Sequence, residues 1–361
     1  MEAPTMGVEE EFLLVDPRSG APVGRNVDVV RTAADLGIDM QLEIVRCQVE
    51  TSTHIHTSTA ELLQELRELR RGAAVSAEKN DALLLAAAVP PAGPDELTIT
   101  GTPRYDRIAE NFGRLANEQG LCGCHVHVAV DDRAVAVRVS NFLRPWLPSL
   151  LALTANSAIY RGDETGYASW RNILWRRWPS AGPPPHFDSL QEFDTAVESM
   201  LSLGVILDRK MIYWDVRPSM TFPTVEVRVS DVPATVEETA LLATLVRAAV
   251  MTAGTVESVP VVAEDVLRAA YWKAAHEGID GAAIDPFDGR TIPVEDLLMR
   301  FVARIRPALE ELGELGFVGD GVTKLLARGN GARRQLNAFR VRGELGDVVD
   351  QIAEATLFSC R

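Results

Sequence analysis

Apolar and polar residues alternate along several short stretches of the chain, the signature of strands with one buried face. Met6 to Val15 is the first, closed by a turn at Pro17-Arg18-Ser19-Gly20. Met40 to Glu50, Gly123 to Val130, Met211 to Val216 and Thr224 to Val229 read the same way, and Ala82 to Val89 reads as a buried strand ended by Pro90-Pro91. Helical spacing takes over from about Thr59 to Asn80. There Ser58-Thr59-Ala60-Glu61 forms a capping box, and Leu62, Leu63, Leu66 and Leu69 make one apolar stripe. Further helices are expected from about Arg104 to Gln119, from Asp132 onward with Pro145 and Pro148 kinking or ending it, and from about Leu190 to Leu203. Beyond Pro233 the chain is mostly helical, with a Gly-Arg-rich turn at Ala327 to Arg334 and a last helix from about Glu344.

Ser157 to Phe187 fits neither period. It holds Gly162, Gly166 and Gly182-Pro183-Pro184-Pro185, yet also Tyr160, Tyr167, Trp170, Trp175 and Trp178. Disordered segments are poor in aromatics, so this stretch reads as an ordered loop near a site. There is no internal repeat and no clear linker. The expectation is a single α+β domain over residues 1–361, an antiparallel sheet with helices packed on it.

Within the strands, charge is the anomaly. Alternation in Gly7-Val8-Glu9-Glu10-Glu11-Phe12-Leu13-Leu14 puts Glu9 and Glu11 on one face and Val8, Phe12 and Leu14 on the other, with Glu10 among them. Adjacent carboxylates on one face repel unless water or a cation intervenes. A solvated edge strand is the plain alternative. Thr224 to Ser230 repeats the pattern, with Val225, Val227 and Val229 opposite Glu226, Arg228 and Ser230. In Cys122-Gly123-Cys124-His125-Val126-His127, the two imidazoles share a face and the two thiols share the other. One zinc ion could not gather all four unless the strand broke. Glu43 and Glu50 differ by seven positions and would point opposite ways in an unbroken strand. Both reach one site only if a bulge or bend lies between them.

At least four strands therefore each offer a carboxylate or imidazole to one sheet face. Hard oxygen ligands with an occasional histidine suit magnesium or manganese. Such ions would neutralise the glutamates and engage nucleotide phosphates. Arg171 and Arg228, with Arg333 or Arg334, are the candidate cations. No GxxxxGK[ST] pattern occurs, so a nucleotide would not be held by a Walker cradle.

Composition narrows the class. The 36 Lys and Arg against 51 Asp and Glu give a formal charge of −15, which disfavours coating a polyanion and so argues against a nucleic-acid partner. No apolar run reaches 18 residues, so no membrane span is expected. The N-terminus has no basic and apolar leader, and four scattered cysteines make no disulfide framework, so a reducing cytoplasm is the expected compartment.

The motifs taken together resemble the glutamate–cysteine ligase type 2 family of ATP-dependent carboxylate–amine ligases. The matching stretches are Thr5 to Phe12, Gln48-Val49-Glu50, Gly123 to Val128, Asp163 to Arg171, Trp178-Pro179 to Pro183, Tyr213 to Pro218 and Pro223 to Arg228, in family order. The resemblance implies a funnel-like antiparallel sheet with helices on its outer face, related to the glutamine synthetase catalytic fold. It implies ATP with Mg2+ or Mn2+ as cofactors, an acyl-phosphate intermediate, and small-molecule acid and amine substrates. It is compatible with a homo-oligomer. By motif, Glu9, Glu11, Glu43, Glu50, His125 and Glu226 are the implied metal set. Arg228 is the implied phosphate contact and, with Glu226, catalytic; Arg333 is a further nucleotide contact. Tyr167 and Arg171 are implied substrate-loop residues, Arg171 gripping a carboxylate. Departures fall at Asn156-Ser157-Ala158-Ile159-Tyr160, Glu164 and Leu336. They bear on the substrates more than on the chemistry. A guanidino-kinase-like phosphotransferase and a non-catalytic nucleotide- or metal-binding protein are the alternatives.

Overall fold

Seven short strands come together from both halves of the chain. The computed structural model describes residues 3–94, 96–256 and 259–360. The strands of the main sheet are β1 (Met6–Val15), β2 (Met40–Leu42), β3 (Gln48–Ser52), β4 (Leu83–Leu85) and β5 (Gly123–Ala129), then β8 (Val216–Pro218) and β9 (Thr224–Asp231). Between these groups, β6 (Ile159–Tyr160) and β7 (Asp163–Glu164) make a separate hairpin. The sheet runs β2-β3-β1-β5-β9-β8, with β4 also paired to β1. Every pairing is antiparallel.

One sheet face is apolar. Val8, Val126, Val128, Val225, Val227 and Val229 bury against the helices Leu147–Thr154 and Val236–Ala253. Cys124 joins this face, so the thiol and the two imidazoles of β5 do point apart and the single-ion zinc arrangement is not formed. All four cysteines are free and buried. No described helix is long and apolar enough to cross a membrane.

Helix Thr59–Glu78 starts where the capping box puts it, with Ser58 accepting from the Glu61 N–H. The region from Arg104 divides at Gly113 (φ 55°) into Pro103–Phe112 and Arg114–Asn117. The prolines interrupt the next helix with a 3-10 turn at Arg144–Trp146. Met40 to Glu50 is not one strand but two, because residues 43–47 bend between β2 and β3. Ala82 to Val89 pairs only over Leu83–Leu85. Met211 closes a 3-10 turn, and the strand starts later, at Val216.

The facing along β9 also departs from simple alternation. His127 lies opposite Glu226, but Cys124 lies opposite Ser230, so β9 carries one extra residue across from His125. This bulge shifts the parity beyond Arg228. Ser230 pairs with Cys124 on the apolar side rather than sharing a face with Glu226, and Asp231 pairs with Gly123 instead.

Candidate active site

The polar face of the sheet forms the wall of a cavity of about 660 Å3. Alternation places the lining. β1 sends in Glu9 and Glu11; β3 sends Gln48, Glu50 and Ser52; β5 sends His125 and His127; β9 sends Glu226 and Arg228. The bend after β2 turns Glu43 inward as well. This is the bend that Glu43 and Glu50 require to meet.

Register then brings the acids together. Glu11 faces Glu50 across β1 and β3, Glu9 faces His125 across β1 and β5, and His127 faces Glu226 across β5 and β9. Two groups emerge whose ligand atoms lie within 4.8 Å of one another: Glu9 with His127 and Glu226, and Glu11 with Glu43 and Glu50. The first contains His127, which the sequence marked only by its parity with His125. His125 instead stands between the groups, its Nδ1 3.0 Å from Glu9 and its Nε2 3.8 Å from Glu11.

The two groups differ electrostatically. Burial opposes ionisation of Glu9, but the imidazoles of His125 and His127 outweigh it and hold its carboxyl far below the usual range. Glu226 is also buried, yet the guanidiniums of Arg217 and Arg228 hold it low. Arg217 reaches Glu226 Oε2 with Nε at 3.1 Å and Nη2 at 3.0 Å, and Arg228 contacts Oε1. Arg217 is a site residue that the sequence reading missed. Its signal was position, on the strand next to β9 and directly across from Glu226.

The second group is all carboxylate. Burial, with Glu43, Glu9 and Glu11 nearby, pushes Glu50 well above its ordinary value. Glu11 is raised too, by burial first, although it accepts the Gly123 N–H at 2.6 Å. Three clustered carboxyls on hard oxygen fit a divalent cation such as Mg2+ or Mn2+. In the first group, His127 Nδ1 lies 3.0 Å from Thr224 Oγ1. With an ion bound, a ring proton on Nδ1 facing Thr224 would leave Nε2 free as a ligand beside Glu9 and Glu226, the outer-sphere arrangement of a metal-ligating histidine.

Aromatic side chains from the loop after Ser157 complete the floor. The loop is ordered: it contains the hairpin β6–β7 and the helix Trp170–Trp175, and its Trp175 and Trp178 line the cavity beside Tyr105 and Tyr213. Arg171 is 2 % exposed and lies behind this wall, over the Trp175 ring and 3.9 Å from Asp231. Its guanidinium crosses Gly123 so closely that a Cβ there would collide with Nη2, and only glycine leaves room. Arg171 itself is not a lining residue. Tyr167 stands apart from the cavity, packed on Trp170, Trp272 and His276. Arg333 is also remote, paired with Asp280 and donating to Leu326 O. Arg334 forms a two-pronged pair with Glu238, and Glu164 pairs with Arg340 on the exposed hairpin.

The family model for glutamate–cysteine ligase family 2 matches residues 5–351. A Nocardia farcinica protein named "Putative glutamate--cysteine ligase 2-1" is 61% identical over 364 residues, covering 100% of this chain and 95% of its own. A protein of Mycobacterium sp. (strain KMS) named "Putative glutamate--cysteine ligase 2-2" is 58% identical, covering 98% of this chain and 99% of its own. Among solved structures, the Francisella tularensis glutamate–cysteine ligase in complex with AMP superposes with TM-score 0.72 at 14% identity, over 98% of this chain and 88% of that one. The bifunctional glutathione synthetase of Pasteurella multocida gives 0.73 at 15%, over 99% and 52%. At these identities the two structures establish a shared fold.

Proposed function

The chain belongs to glutamate–cysteine ligase family 2, and from that premise we propose that it is an ATP-dependent ligase joining the γ-carboxylate of glutamate to an amine. The observation that carries this reading is the meeting of two three-ligand groups and Arg228 in one cavity. The AMP held by the Francisella enzyme supports the nucleotide half of it.

A carboxylate is a poor electrophile, and phosphorylation supplies a leaving group. One oxygen of the acid attacks the γ-phosphorus of ATP, and ADP departs. The amine nitrogen then attacks the acyl carbon, phosphate leaves, and the nitrogen loses its proton to solvent. A magnesium or manganese ion at either group would neutralise phosphate oxygens. Glu9, His127 and Glu226 would hold one ion and Glu11, Glu43 and Glu50 another. The protein's own part is positioning and charge. Arg228, half-buried against Glu226 and 3.3 Å from His125 Nδ1, presents a fixed cation to the transferring phosphoryl group. Arg217 keeps Glu226 ionised and aimed.

ADP release over a panel of acids and amines tests the reading, with products identified by mass spectrometry. Acid- and amine-dependent ADP and phosphate are expected, and Glu226→Gln or Glu9→Gln should lower the rate about 10²-fold or more, the scale of losing one preorganised electrostatic group. A stable phosphorylated acid or guanidine formed without any amine would replace the ligase with a phosphotransferase. ATP binding with no turnover over the whole panel would end the enzyme reading, and full activity in both variants would remove these carboxylates from the reaction.

A further inference from the structure

Gln335 sits on the helix Gly331–Arg342, 2 % exposed and outside the cavity, yet its side-chain hydrogen bonds all go to the start of the aromatic loop. Its Oε1 accepts from the N–H groups of Ala158 at 3.0 Å and Ile159 at 3.3 Å. Its Nε2 donates to Asn156 O at 3.0 Å and to Asn156 Oδ1 at 2.8 Å. Both amide hydrogens and both lone pairs are used, and turning the amide over would set donor against donor. Asn156 cannot turn over either, because its Nδ2 donates to Ala86 O and Val232 O, each at 2.8 Å. The helix approaches so closely here that a Cβ on Gly331 would collide with the Asn156 side chain.

Between the gripped residues lies Ser157. Its carbonyl accepts from the Trp170 N–H at 3.3 Å, and its hydroxyl accepts from the Arg171 N–H at 3.0 Å. These are two of the donors that the first turn of the helix Trp170–Trp175 leaves unpaired within itself. That helix has six residues, too few to persist without tertiary contacts, so whatever holds its first turn sets where it lies. It ends on Trp175, which lines the cavity together with Trp178. Resting on the ligase reading, we propose that Gln335 is a positioning residue for the reaction: by holding Asn156, Ala158 and Ile159 it fixes Ser157, and through Ser157 the helix that presents Trp175 to the cavity. No described residue beyond Arg228 lines the cavity. The helix Gly331–Arg342 nonetheless belongs to the framework of the site, because it governs one aromatic wall from behind.

Turnover over the acid and amine panel, read beside hydrogen exchange on the full chain, tests this. Gln335→Met keeps the bulk of the side chain and removes its four hydrogen bonds. Its kcat/KM should fall about 10- to 100-fold, the scale of a small misplacement propagated from far away. Exchange should rise over residues 157–175 while the sheet strands stay protected. Ile352→Val, a buried change in the helix Leu345–Thr356, controls for general loosening and should keep wild-type kcat/KM. Gln335→Glu gives the sharper readout. When ionised, its second oxygen faces two acceptors on Asn156; when protonated, it offers a donor again. Its kcat/KM relative to wild type should therefore recover as pH falls. Wild-type kcat/KM in folded Gln335→Met would overturn the assignment. So would equal losses in Gln335→Met and Ile352→Val, or a Gln335→Glu deficit that is constant across pH. If Gln335→Met does not fold, the pH profile of Gln335→Glu decides, with the exchange pattern of Gly331→Ala, which disturbs the same contact from the helix backbone. If wild type turns over nothing in the panel, the ligase reading fails. Exchange then decides the tether alone: opening confined to residues 157–175 sustains it, and uniform loosening overturns it.

Discussion

Glu10 shows how one residue can reverse the meaning of its neighbours. Glu9 and Glu11 face the cavity, but Glu10 points into the apolar layer, where it is 0 % exposed. Arg70 meets it there with Nε at 3.1 Å and Nη2 at 2.5 Å, Thr239 donates to it at 2.6 Å, and Arg70 spends its other hydrogens on the carbonyls of Pro233 and Ala234. Removing one partner leaves an uncompensated buried charge. Glu10→Ala should therefore destabilise the protein by about 3–5 kcal/mol, read by denaturant unfolding. A loss below about 1 kcal/mol would mean that the pair contributes little beyond its volume. The side of the strand on which Glu10 lies was legible from alternation. Its partner was not, because Arg70 is one of several arginines on a helix 60 positions away and nothing local selects it. The same limit applies to Arg217, Arg333 and Tyr167: motif spacing names residue types, whereas only packing decides which of them turn toward the cavity.

At the scale of elements, Asp231 ties the aromatic loop to the sheet. It is fully buried and accepts from the Asn156 N–H at 2.8 Å, the Ser157 hydroxyl at 2.7 Å and the Ser169 hydroxyl at 2.9 Å, with Arg171 at 3.9 Å. Asp231→Asn puts an NH2 where at least one donor points and removes the counter-charge of Arg171. A loss of about 1.5–3 kcal/mol is expected, the worth of hydrogen bonds to a charged group. Hydrogen exchange should rise over residues 157–171 before it rises elsewhere, and uniform loosening would refute the tether. The strands and their facing were legible wherever alternation ran unbroken, as in β1 and β5. The β9 bulge was hidden, since an extra residue leaves no compositional mark in Thr224 to Asp231. For the bend at residues 43–47, the spacing of Glu43 and Glu50 states a condition for their meeting, but no turn-forming residue in that stretch shows that the condition is met.

The whole molecule holds its acidic cavity at a cost to stability. Folding raises the Glu50 carboxyl well above its unfolded value, through burial and the acids around it. A raised carboxyl stabilises the fold in full below the unfolded value of 4.5, and that contribution is lost as pH climbs through the folded value. Without divalent ions, Glu50→Gln should therefore match wild type near pH 4.5. At neutral pH it should exceed wild type by roughly 0.5–2 kcal/mol, as substitutions that relieve functional strain do. Glu9 and Glu226 run the other way, since their lowered values favour the fold at neutral pH and lose that effect in acid. Added Mg2+ or Mn2+ should raise the wild-type melting temperature and erase or invert the Glu50→Gln advantage. A variant that stays more stable at saturating Mn2+ would remove Glu50 from the ion site.

β1 supplies a carboxylate to each group from positions only two residues apart, with Glu10 between them facing the opposite way. A single-residue insertion or deletion in this strand would dismantle both side-chain groups at once and drive two carboxylates into the hydrocarbon layer while pulling Arg70's partner out. Length changes of this kind are therefore closed to the strand. Variation must enter by substitution there.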